Sequence, residues 1–75
     1  MATGPQKHSL TLRGHRTSVT LEPAFWQAFR QIAEEKSIAI NELAAQIDAT
    51  REPDTGLASA IRVYVLNHYR SADRG

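Results

Sequence analysis

The chain has 75 residues, no cysteine and a formal net charge of +1, which bounds it to one small domain without disulfides or thiolate metal sites. A single core of this size buries only about 60% of the unfolded chain's surface, so self-association is the expected staple and a homodimer the expected state. No apolar run reaches the length of a membrane span or a signal-peptide core, and the expectation is a soluble, cytoplasmic protein with no membrane contact.

The charge is unevenly spread. Residues 1–21 hold Lys7, Arg13 and Arg16 but no acid, and the first carboxylate is Glu22. A basic amino-terminal segment points to an anionic partner, and a solvated basic tail accounts for it equally well. Residues 1–7 are polar with Gly4 and Pro5 and read as a flexible tail, leaving 8–75 as a single domain.

Residues 8–21 alternate as strands do. Leu10 and Leu12 sit at even positions, whereas Val19 and Leu21 sit at odd ones. One flat strand cannot keep both sets on one face, so the phase changes near Gly14. A two-residue hairpin turn at Gly14 and His15 does this, setting Leu10 opposite Val19 and Arg13 opposite Arg16. A bulge at Gly14 within one bent strand is the alternative.

Helical spacing follows. Pro23 suits a first helical position, and Phe25, Ala28, Phe29, Ile32 and Ala33 form an apolar stripe over 23–36 with Trp26 beside it. Ile40, Leu43, Ala44 and Ile47 give a second helix over 40–50. Pro53 and Gly56 break the pattern. Leu57, Ile61, Val65 and Tyr69 line a third helix over 57–70, with Asp54 or Thr55 as its cap. The fold class is therefore mainly α with a short amino-terminal β-ribbon.

The stretch over residues 16–47, from Arg-Thr-Ser-Val-Thr-Leu through Phe-Arg-Gln-Ile-Ala-Glu-Glu to Asn-Glu-Leu, resembles ribbon-helix-helix proteins of the Arc/MetJ type. The shared pattern is an alternating strand, a turn into a helix, a short connection, and a second helix opening near Asn41. The resemblance implies an obligate dimer in which one strand from each chain forms a ribbon that enters the DNA major groove. It implies a sequence-specific DNA-binding protein, a transcriptional regulator of the repressor kind, whose partner is double-stranded DNA. The outward strand positions Arg16, Ser18 and Thr20 would then contact bases. The start of the second helix, Ala39, Ile40 and Asn41, would hold a backbone phosphate, although Ala39 stands where the family places a capping hydroxyl. Lys7 and Arg13 would add phosphate contacts. Val19, Leu21, Phe25, Trp26, Phe29, Ile32, Leu43 and Ile47 would form the dimer core.

The plainer readings stand beside these. Without the resemblance, Arg16, Ser18 and Thr20 read as the solvent face of a half-buried strand. His8, His15 and His68 lack metal-ligand spacing, so no metal and no cofactor are expected. Glu34, Glu35, Glu42 and Asp48 read as solvated helix faces. No nucleophile–base constellation or phosphate loop appears, and an enzyme is not expected. The other functional class is a protein–protein module or an antitoxin on the same scaffold, with its partner on the third helix. A hairpin over 9–20 would favour it, because two hairpins in a dimer make a sheet four strands wide.

Overall fold

The computed structural model describes residues 4–73. The order is β1 (Gln6–Leu12), β2 (His15–Leu21), α1 (Pro23–Glu35), α2 (Ile40–Thr50) and α3 (Leu57–Asp73). The first strand begins inside the segment expected to be a tail, so Lys7 is a strand residue.

The two strands form an antiparallel hairpin whose turn is Arg13 and Gly14, with Leu12 opposite His15 and Leu10 opposite Thr17. The expected turn at Gly14 and His15 is thus one residue too late, and β2 is displaced by two residues from the expected pairing. A two-residue displacement keeps every side chain on its face, so Leu10, Leu12, Val19 and Leu21 are buried together. The physical gain is at the turn. Arg13 leaves the ladder, and Arg16 faces Thr11 instead of a second arginine. Both turn residues have positive φ, 51° at Arg13 and 88° at Gly14, as the type I′ turn that matches strand twist requires.

Pro23 at the first position of α1 follows an extended Glu22. The helix ends in a Schellman motif. The Ser37 N–H donates to the Glu34 carbonyl and the Ile38 N–H to the Ala33 carbonyl, both at 3.0 Å, with Ser37 at φ 58°. That left-handed residue turns the chain sharply into α2. Helix α3 opens at Leu57, and the Gly56 carbonyl accepts the Ala60 N–H at 3.0 Å, so neither Asp54 nor Thr55 occupies the capping position. Instead Arg51 braces the connection, bonding Asp48 Oδ1 and the Thr55 carbonyl, each at 2.7 Å.

The helices lie against one face of the hairpin. Val19, Leu21, Phe29, Ile32, Leu43 and Ile47 are buried within one chain, with Ile61 and Val65 of α3 beside them. The third helix supplies the missing apolar wall, so the domain has a core of its own. Phe25 and Trp26 pack against that core but stay partly exposed. Among the described residues no helix is long and apolar enough to cross a membrane.

Candidate nucleic-acid interface

The hairpin face turned away from the helices carries Lys7, Ser9 and Thr11 from β1 and Arg16, Ser18 and Thr20 from β2. They pair as Lys7 with Thr20, Ser9 with Ser18 and Thr11 with Arg16, and all six are exposed. Alternation places them there, because the opposite face carries Leu10, Leu12, Val19 and Leu21, which the helices cover. The face bears two cations and four hydroxyls and no carboxylate. Arg13 stands at the tip, in the turn. Such a surface is chemically suited to an anion-lined groove, with guanidinium and hydroxyl groups able to reach base edges or phosphates.

The hairpin's outer edges are handled differently. In a two-residue hairpin the backbone groups of alternate residues point away from the partner strand. On β1 the Thr11 N–H points outward and donates to Asn41 Oδ1 at 3.1 Å. The first turn of α2 therefore lies along the edge of β1. On β2 the outward groups belong to Arg16, Ser18 and Thr20. The Thr20 carbonyl receives a long bond, 3.4 Å, from Arg62 Nη2 of α3.

Arg62 was not singled out by sequence reasoning, yet it organises the corner between β2 and α1. Its Nε donates to Glu22 Oε1 at 2.9 Å, and its guanidinium carbon lies 5.9 Å from the centroid of Phe25. The bond from Arg62, reinforced by a backbone N–H at Glu22 itself, holds the Glu22 carboxyl below the usual carboxylate range. No local sequence pattern could reveal a pair 40 residues apart.

At the start of α2 the expected phosphate residues separate. Ile40 turns its side chain to the core, and Asn41 is exposed with its Oδ1 committed to Thr11. Ala39 is extended and makes no side-chain cap. The N–H groups of the first turn have no intrahelical partner, the chemistry that makes a helix start suited to an anion. The histidines are dispersed. His8 stacks on Trp26, with ring centroids 3.8 Å apart and planes 6° from parallel, while its buried Nε2 has no hydrogen-bond partner. His68 Nε2 lies 3.2 Å from Glu35 Oε1 and links α3 to α1. Among the described residues no cluster of His, Asp or Glu has the makings of a metal site.

A family model described as a ribbon-helix-helix domain matches residues 5–69. The chain belongs to the ribbon-helix-helix family. No match was found among curated proteins or among solved structures. Ribbon-helix-helix domains are generally DNA-binding, serving as transcription regulators or antitoxins, and they bind DNA as dimers on a fold that is not an enzyme's. This ribbon-helix-helix domain carries one strand before, and one helix beyond, the strand-helix-helix stretch that the resemblance covered.

Proposed function

We propose that this ribbon-helix-helix protein is a sequence-specific DNA-binding transcriptional regulator, a repressor acting in the cytoplasm as a homodimer. The observation that carries the reading is the acid-free polar face of the hairpin, beside a β2 edge that no other strand covers. Pairing that edge with its copy centres the sheet on two β2 strands. Arg16, Ser18 and Thr20 of both chains then occupy the middle, where base edges are read. The β1 strands become the flanks. Strands lie about 4.8 Å apart, so the flanks are about 14 Å from each other, against a groove about 12 Å wide. The hairpin makes that sheet four strands wide, the feature that favours an interaction module, and a flat sheet of that width stays out of the groove. A twisted one lowers its two central strands and leaves Lys7 and Arg13 over the phosphates at the rims.

The test is fluorescence anisotropy with the DNA upstream of the protein's own gene and with a scrambled duplex, at low and moderate salt. A preference for its own DNA that survives added salt supports a specific regulator. In that case Arg16→Ala abolishes the preference while the far-ultraviolet spectrum and the oligomeric state stay as they were. Weak binding that treats both duplexes alike and vanishes with salt reduces the face to a basic patch, and the scaffold is then an interaction module.

A further inference from the structure

Three large apolar side chains of α3 lie in solvent. Val63 is 55% exposed, Leu66 52% and Tyr69 41%. Isolated apolar residues on a surface need no explanation, and Val63 lies apart, toward Ala60, Tyr64 and Asn67, but Leu66 and Tyr69 adjoin a particular feature. Ser59, Arg62, Leu66 and Tyr69 follow at spacings of three, four and three, so they form one stripe along α3. Arg62 is the member of that stripe whose Nη2 reaches the Thr20 carbonyl. The stripe therefore continues, without a change of face, from the open edge of β2.

We propose that the α3 stripe is the lower half of a two-fold interface whose upper half is the β2 edge, and that its occupant is the same stripe of a second copy. The inference rests on the β2 pairing proposed above and extends it to a helix–helix contact. Three considerations select a second copy over an unrelated partner. A two-fold axis that pairs β2 with itself must bring whatever flanks that edge against its own image, and α3 is what flanks it. Stable interfaces bury about 1,200–2,000 Å², and one short strand edge leaves most of that to neighbouring side chains. Finally, α3 holds no carboxylate from Leu57 to Ala72, and Arg62 already has Glu22 as its counter-ion. Leu66 and Tyr69 can thus meet their images without stranding an unpaired acid. The contact lies on the helix side of the sheet, so the polar face stays free for DNA.

The test is the dimer dissociation constant, from sedimentation velocity over a wide concentration range. Leu66→Glu and Tyr69→Lys place charges at exposed positions, so the monomer fold, checked by circular dichroism, should survive. Each is expected to weaken the dimer about 100-fold, as for a central interface residue. Ser18→Pro removes only an outward N–H of β2 and tests the strand pairing separately. If Ser18→Pro dissociates the dimer while both α3 variants stay within threefold of wild type, the strand reading stands and the helix inference is overturned. If the wild-type chain is a monomer throughout, both fall. Because the chain has no cysteine, Leu66→Cys provides a second readout. Mild oxidation should link it into a covalent dimer faster than Gln31→Cys on α1, and equal rates would sink the helix contact.

Discussion

The side chain of Asn41, at the start of α2, accepts the Thr11 N–H across 30 residues of chain at 3.1 Å. This bond does two things. It satisfies an outward donor on the edge of β1, and it ties the start of α2, with its free N–H groups, to that edge. It also means that Asn41 offers a phosphate its amide nitrogen and its backbone, not its Oδ1.

Asn41→Asp separates the structural role from the DNA role. The carboxylate still accepts from Thr11, and an acid in a first helical turn is favourable. Thermal stability should stay level or rise by about 0.3–1 kcal/mol. If the start of α2 lies at the phosphates, the added negative charge should lower affinity for DNA at low salt. Unchanged affinity would place the start of α2 away from the DNA.

Arg13 is held at φ 51° in the hairpin turn, a conformation that costs a side-chain-bearing residue about 1–2 kcal/mol. Asparagine tolerates that region and precedes glycine in favoured type I′ turns. Arg13→Asn should therefore stabilise the protein by about 0.5–1 kcal/mol in urea denaturation. If the arginine is retained for phosphate binding, the same variant binds DNA more weakly. The slope of log affinity against log salt should then be shallower by about two, one for each protomer. Gained stability with an unaltered salt slope would assign Arg13 no contact.

The ion pair of Glu22 with Arg62 gives a pH dependence of defined sign. The folded carboxyl titrates below its ordinary value of 4.5 because Arg62 bonds its charged form. Its contribution to stability is present above that ordinary value and is lost as pH falls through the lower, folded one. Glu22→Gln should flatten this acid limb while leaving the rest of the stability profile in place. Both groups are partly exposed, so the change is small and should fade with added salt. A steeper acid limb in the variant would contradict the assignment.

The elements were legible in the sequence because each carries its own period. The phase change between Leu12 and Val19 demanded a break near Gly14, either a hairpin turn or a bulge, and the stripes ending at Ala33 and Ile47 bounded two helices closely. The turn was misplaced by one residue because Gly14 serves equally as first or second residue of a tight turn, and only the avoided Arg13–Arg16 opposition decides. The closed core was not legible. It depends on Ile61 and Val65 folding back from beyond Pro53 and Gly56. The site was half legible. Alternation put Arg16, Ser18 and Thr20 on one face, but Arg62 and the Asn41 bond to Thr11 join distant segments. Tyr69 reads from its spacing as the end of the inward line of Leu57, Ile61 and Val65, but it is exposed and shares the outward side of α3 with Leu66.

Ser37 closes α1 at φ 58° in a position where glycine has no Cβ penalty. Its N–H and that of Ile38 satisfy two carbonyls of the last turn, so the backbone geometry must be kept while the residue changes. Ser37→Gly keeps it and removes the strain, against a modest loss from the freer unfolded chain. The net expectation is a gain of about 0.5 kcal/mol. For a domain of this size that raises Tm by about 2–4 °C, measured at fixed protein concentration because association also shifts Tm. Ser37→Val should move Tm the other way, since a β-branched residue fits the left-handed region poorly. If both substitutions lower Tm alike, the serine hydroxyl matters more than the backbone it sits on, and the Schellman account of this corner is wrong.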